Sequence, residues 1–310
     1  MFLPVVDTAV WPVATVPAPS GFGHHRGMSG STWLQRRPAP GLRPLIDSYV
    51  GYRTEGLAAG IHRGLPSRHL TVIVSIGEPI DVVAQTDPCQ APDRYRFVVS
   101  GLQARAALIA SPAVQEGVAV ELTPLGSRAL LGVPAGELWD TSVEAADVLG
   151  PAAVELWERV HHAGGWADRF AACDDVFGRL VAATGSPAPA PAVAGAWELL
   201  LASGGAMGVV ELARRVGWSR RHLAARFTSE FGLSPKLAAR VVRFERAATM
   251  LRSPRRPALA EVATACGYYD QPHLNRDFVE LAGCPPGEWL AAEHPSVQDT
   301  GAGQPARSTP

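Results

Sequence analysis

Glu211–Pro235 reads ELARRVGWSRRHLAARFTSEFGLSP, and Glu261–Pro286 reads EVATACGYYDQPHLNRDFVELAGCPP. The second stretch repeats the first. Glu211 aligns with Glu261, Ala213 with Ala263, Gly217 with Gly267 and Trp218 with Tyr268. After one extra residue in the second copy, His222-Leu223 aligns with His273-Leu274. Phe227 then aligns with Phe278, Gly232 with Gly283 and Pro235 with Pro286.

The spacing has a physical reading. Leu212, Ala213 and Val216 form the inner face of a short helix, and Gly217 follows where a tight turn needs positive φ. Ser219 is placed to cap the next helix. On that helix Leu223 and Phe227 stand at i and i+4 and face the core together. Gly232 ends it. Val262, Ala263, Gly267, Asp270, Leu274, Phe278 and Gly283 repeat the scheme. Each copy is therefore expected to be a helix-turn-helix, whose second helix fits the major groove of DNA. Between the copies, Pro235 to about Leu251 carries an apolar stripe of Leu237, Val241, Phe244, Ala248 and Leu251. A helix there spans roughly 25 Å at 1.5 Å per residue. It is long enough to present two recognition helices to groove faces about 34 Å apart.

Upstream the pattern changes. Leu45 to Leu125 is strand-like, with Leu70–Ile76, Ile80–Val83, Tyr95–Val99, Ala106–Ile109 and Val118–Leu122 separated by Gly, Pro, Asp and Ser. Short strands at this spacing predict a β-barrel or β-sandwich. Helical periods follow in Ala152–Val160, with Pro151 suited to a first turn, and in Trp166–Val181. Their apolar faces are expected either to close over the strands or to pair with a second subunit. GSPAPAPAVAG at 185–195 favours extended backbone and reads as the linker. The expected organisation is a disordered segment at 1–37, with Met28 an alternative start, and a β-rich sensor and dimerisation domain at 38–184. The 185–195 linker, the double helix-turn-helix domain at 196–294 and a disordered tail at 295–310 complete it.

The paired units, and GYYDQPHLNRDFVELAGCPPGEWL in the second, resemble the AraC/XylS family of transcription regulators. That resemblance covers about Val193 to Ala292. The stretches Gly117–Pro124 and Leu130–Pro134 resemble the cupin-like sensor domain of one subgroup. Together they imply an α+β multidomain protein: a β-rich, cupin-like barrel or sandwich with trailing helices, then an all-α double helix-turn-helix domain. Carried over from the family, the base-contacting positions are Arg221, Ala224 and Ala225 in the first unit, and Gln271, Pro272 and Arg276 in the second. Arg221 and Arg276 suit guanine, and Gln271 suits adenine. The two alanines depart from the polar residues often found there, and can only touch a thymine methyl or allow close approach. Arg220 and Arg226, with Asn275, are expected on the DNA backbone.

The net charge of −1 gives no hint of a nucleic-acid partner, but its distribution does. Val209–Arg256 holds twelve cations against three acids, and Pro257–His294 one arginine against six acids. The first unit is expected to supply most phosphate attraction, and the second a larger share of sequence choice. Lys236 is the only lysine, a bias that carries no functional weight. Hydrophobic residues make up 47% and charged residues 18%, as in a globular chain. The four cysteines, Cys89, Cys173, Cys266 and Cys284, lack metal or disulfide spacing and read as reduced thiols of a cytoplasmic protein. There is no apolar run of membrane length, and prolines interrupt the N-terminal apolar residues, against a signal peptide.

His62 and His69 do not form the close histidine pair with a carboxylate of a metal-binding cupin, so neither a metal nor any other cofactor is expected. His24-His25 and His161-His162 are assigned nothing. Trp139 and Trp157 read as core or interface. The expected partners are double-stranded promoter DNA, a small-molecule effector on the N-terminal domain, RNA polymerase and a second copy of the chain. The competing readings are a cupin-type enzyme or a protein-interaction domain fused to a DNA-binding module. No Ser/His/Asp or Cys/His signature supports the enzyme.

Overall fold

The computed structural model describes residues 25–26, 32–55 and 60–293. The remaining parts of the segments expected to be disordered, Met28 included, lie outside the described residues.

Among the described residues, eleven strands form two antiparallel sheets in the N-terminal half. The larger holds β1 (His25–Arg26), β2 (Thr32–Arg36), β3 (Ile46–Glu55), β5 (Leu70–Ser75), β8 (Phe97–Ser100), β10 (Val114–Leu122) and β11 (Ser142–Glu144) in the order β1-β2-β3-β10-β5-β8-β11. The smaller holds β4 (Gly60–Gly64), β6 (Ile80–Ala84), β7 (Asp93–Tyr95) and β9 (Ala107–Ser111) in the order β4-β9-β6-β7. The pair is an open sandwich and not a closed barrel. β5 explains why that strand is apolar almost throughout. Val72 and Val74 point into the main core, while Ile73 meets Ile80, Val82 and Ile109 of the other sheet. A strand covered on both faces has no polar side to alternate with.

Two differences from the sequence reading concern boundaries. Thr32–Arg36, inside the segment read as disordered, pairs with β3 as β2. The helix that follows the linker begins at Pro191, so the extended segment is shorter than 185–195. Proline is tolerated in a first helical turn because its missing N–H has no partner there anyway.

Helices α1 (Ser127–Leu131) and α2 (Ala145–Leu149) lead into α3 (Pro151–His162) and α4 (Trp166–Ala183). The last two close over the large sheet. Leu156, Val160, Phe170, Val176 and Phe177 are buried there, and Tyr49 of β3 stacks between Phe170 and Phe177 at centroid distances of 6.0 and 6.5 Å. The apolar faces read as a candidate dimer surface are thus satisfied within the chain.

The C-terminal half is helical: α5 (Pro191–Ala202), α6 (Val209–Arg215), α7 (Arg220–Phe231), α8 (Pro235–Leu251), α9 (Leu259–Ala265), α10 (Gln271–Ala282) and α11 (Pro286–Glu293). The main core runs without a break from the sheet into α5, α6, α7 and the first half of α8. A second core, built on Phe244, Phe278 and Trp289, holds α9, α10 and α11. No helix among the described residues is long and apolar enough to cross a membrane.

Candidate nucleic-acid interface

Each repeat folds as its sequence predicts. Gly217 and Gly267 take φ of 72° and 75° in the turns between α6 and α7 and between α9 and α10. Ser219 Oγ accepts from the His222 N–H at 3.2 Å, and Asp270 Oδ1 accepts from the His273 N–H at 2.7 Å. Each cap satisfies one of the amide donors that a helix start leaves open. Trp218 meets His222 edge-on, and Tyr268 meets His273 in the same way. Each of the paired histidines thus packs against the aromatic ring of its own turn.

On α7, Leu223, Phe227 and Phe231 are buried, while Arg220, Arg221, Ala225 and Arg226 are exposed and Ala224 is half-buried. On α10, Leu274, Phe278 and Leu281 are buried, Pro272 and Arg276 are exposed and Gln271 is half-buried. Arg221, Ala225, Pro272 and Arg276 thus lie on the outward side of the two helices, and Ala224 and Gln271 are partly covered. Val279 shares the face of Pro272 and Arg276 and is 49% exposed. The sequence reading passed over it because valine at that spacing also suits a core. Asn275 is half-buried, and its Oδ1 is buried without a hydrogen-bond partner.

Half of the twelve cations of Val209–Arg256 have work inside the fold. Arg214 and Arg215 both bond Glu211, and together they hold its carboxyl down at about 2. Arg240 on α8 binds Asp277 at 2.7 Å and also Glu280, tying α10 to the long helix. Arg243 donates to the Gly205 carbonyl at 2.8 Å and lies over the Tyr268 ring. Arg246 reaches the carbonyls of Gly204 and Ala265, and Arg252 lies over Trp289. Arg220, Arg221, Arg226, Lys236, Arg255 and Arg256 are the exposed cations left to face a polyanion.

The sandwich grips this helical half at several points. Arg128 of α1 donates twice to Glu230 near the end of α7, at 2.7 and 2.9 Å. Trp139 covers Gly232, so it is an interface residue. On the far side, the Arg68 backbone N–H and guanidinium lie 3.3 and 3.8 Å from the Glu245 carboxylate on α8. Between the sheets and α8 lies a cavity of about 480 Å³. Ile73, Val82 and Val98 give it an apolar floor, and Gln103, Glu245 and Arg252 supply polar groups.

The structure also brings together residues that the sequence kept apart. Asp47, His69 and Glu121 offer three candidate ligand atoms within 4.8 Å of one another; His62 is not among them. Arg68 lies 3.2 Å from the same Asp47 oxygen that His69 contacts at 3.2 Å. A guanidinium in the cluster makes it an ion-pair network and a poor cation site. The His69 contact first, then Arg68, hold Asp47 down at about 2 against the effect of burial. Burial pushes Glu245 up, with Arg68 and His69 opposing. None of the four cysteines forms a disulfide.

Two capped helix-turn-helix units on one connecting helix, docked on a β-sandwich, define a DNA-binding regulator fold. Residues 212–292 match the family described as a helix-turn-helix domain. No curated protein matches the chain. Among solved structures, ToxT from Vibrio cholerae is similar at 13% identity and a TM-score of 0.46, over 78% of this chain and 97% of that one. The DNA-binding domain of AdpA, solved with a target DNA, is 25% identical with a TM-score of 0.31, over 34% of this chain and 99% of that one. An AraC-type regulator from Chromobacterium violaceum is 24% identical with a TM-score of 0.31, over 34% and 96%.

Proposed function

We propose that the chain is a sequence-specific transcription regulator of the cytoplasm that sets α7 and α10 into successive major-groove segments of one promoter. The observation that carries this reading is the outward placement of Arg221 on α7 and of Arg276 on α10. Both helices are fixed to α8, whose 17 residues make a rigid spacer of roughly 25 Å. Arg220 and Arg226 flank Arg221 and supply phosphate contacts. Ala224 and Ala225 are small enough to let the α7 backbone approach the bases.

The cavity between the sheets and α8 is the place for a small-molecule effector. Its volume of about 480 Å³ falls in the range of small-ligand sites. An occupant touching Glu245 or Arg252 bears on the helix that spaces the two reading heads. It shifts DNA affinity only as far as it prefers one arrangement of α8 over another. The chain acts as a regulator and not as an enzyme, and recruits RNA polymerase as a DNA-bound protein or a dimer. Genomic footprinting of the native protein tests the reading: discrete promoter sites whose two protected segments lie about one helical turn apart support it. Uniform, sequence-independent protection defeats it.

A further inference from the structure

Tyr269 is the residue by which the second repeat exceeds the first. Its neighbour Tyr268 fills the place of Trp218 and is buried against His273. Tyr269 itself is 93% exposed, the most exposed of the large apolar side chains among the described residues. Its backbone is nevertheless pinned, because its N–H donates to His273 Nδ1 at 3.4 Å and the next residue is the cap Asp270. A fixed main chain carrying a fully exposed phenol, with no packing role, sits directly before the helix that presents Gln271, Pro272 and Arg276.

The second unit lacks the means by which the first holds the DNA backbone. Its sequence has one arginine against six acids. The amides at the start of α10 offer little: Pro272 has none and that of His273 is taken by Asp270, which leaves that of Gln271. A phosphate at the edge of the groove therefore needs a neutral donor, and a phenolic O–H is one. We propose that Tyr269 donates its hydroxyl to a DNA phosphate flanking the groove segment that α10 occupies. This rests on the placement of α10 in the groove given above.

The test uses the full chain and a duplex that it selects from a random-sequence pool. Tyr269→Phe and Tyr269→Ala are compared with Arg276→Ala. Losing a hydrogen bond to a charged group weakens binding by about ten- to a hundredfold. Both Tyr269 variants are expected to show that loss equally on the selected and on an unrelated duplex. The slope of log affinity against log salt stays unchanged, because no protein charge is removed. Ethylation of one flanking phosphate, which interferes with the wild type, no longer does so. A Tyr269→Phe variant that binds like the wild type, or that alters base preference, overturns the assignment while a weakened Arg276→Ala leaves α10 in place. If Tyr269→Ala binds DNA normally but fails to support transcription, the ring faces a protein and the assignment is again lost. If Arg276→Ala also binds normally, the placement of α10 falls, and Tyr269 with it.

Discussion

Arg128 and Glu230 form a two-pronged ion pair, at 2.7 and 2.9 Å, that joins the short helix after β10 to the last turn of the first recognition helix. Glu230 is only 10% exposed at its side chain, and Arg128 is 26% exposed. Removing one partner leaves a charge in a half-dry interface. Arg128→Ala is therefore expected to lower stability by about 1.5–3 kcal/mol. It should also speed proteolytic cutting near residues 184–190, between α4 and α5. Replacing both partners with Met and Leu should cost less than either single change. Urea titration of the three variants decides it; additive losses mean that the pair is not coupled.

Gly232 and Gly283 end the two recognition helices with almost the same φ, 81° and 77°, yet they should tolerate alanine very differently. At Gly283 nothing lies within 4 Å of an added Cβ, whereas at Gly232 it would meet the Cβ of Trp139 at 2.3 Å. Gly283→Ala then carries only the left-handed strain, about 1–2 kcal/mol. Gly232→Ala adds a steric conflict at the domain interface, about 1–3 kcal/mol more. Adding Trp139→Ala should recover part of that extra loss. Equal melting points for the two single variants would show that Trp139 does not press on Gly232 in solution.

The recognition helices were legible because their local rules agree with their packing: cap, glycine turn and i,i+4 apolar pair all point one way. Charge was legible in amount and not in use. Arg240, Arg243 and Arg246 enter the linear count of cations, but their partners Asp277, Gly205 and Gly204 are many residues away. The cluster of Asp47, His69 and Glu121 was hidden for the same reason, since it assembles from β3, the approach to β5, and β10. Tyr269 was invisible in another way. An aromatic next to Tyr268 reads as core until burial separates the two.

That redistribution changes the expected salt dependence. Each phosphate contact contributes about 0.9 to the slope of log affinity against log salt. Replacing Arg220 and Arg226 together by Gln should reduce the slope by roughly 1.8. Arg243→Gln should lower stability and leave the slope alone. Charge reversal at Arg255 and Arg256 reports whether the segment after α8 lies near DNA. A slope that responds to Arg243 and ignores Arg220 and Arg226 would place the wrong face on the duplex.

Base reading is expected to depend on Arg221 and Arg276. Each bidentate contact to guanine is worth about 1–3 kcal/mol of discrimination. Arg221→Ala and Arg276→Ala should each weaken the selected duplex by that amount and flatten preference at one base pair, in opposite halves of the site. Ala224→Ser and Ala225→Ser should have little effect unless the α7 backbone comes close to the bases, in which case affinity falls without a change in salt slope. Footprints on the cognate promoter read both results. Two arginine variants that keep the wild-type footprint would remove α7 and α10 as the reading helices.

Asp47 and Glu245 flank Arg68 and titrate in opposite senses, which gives the domain junction its own pH signature. Asp47 is held down at about 2, first by His69 and then by Arg68. Its contribution is fully present above the ordinary carboxylate range and disappears as pH falls toward about 2. Asp47→Asn should thus lower the urea midpoint at neutral pH, with the difference closing in acid. Glu245 is held above the ordinary range by burial. The folded chain keeps that proton longer than the unfolded chain does, so stability declines as pH rises through the raised value. Glu245→Gln keeps an acceptor for the Arg68 N–H and carries no charge. Its midpoint should match the wild type in acid and exceed it at neutral pH. Urea midpoints measured from roughly pH 2 to pH 8 span both windows. Parallel curves for the two variants and the wild type would mean that Arg68 does not sit between these carboxylates in solution.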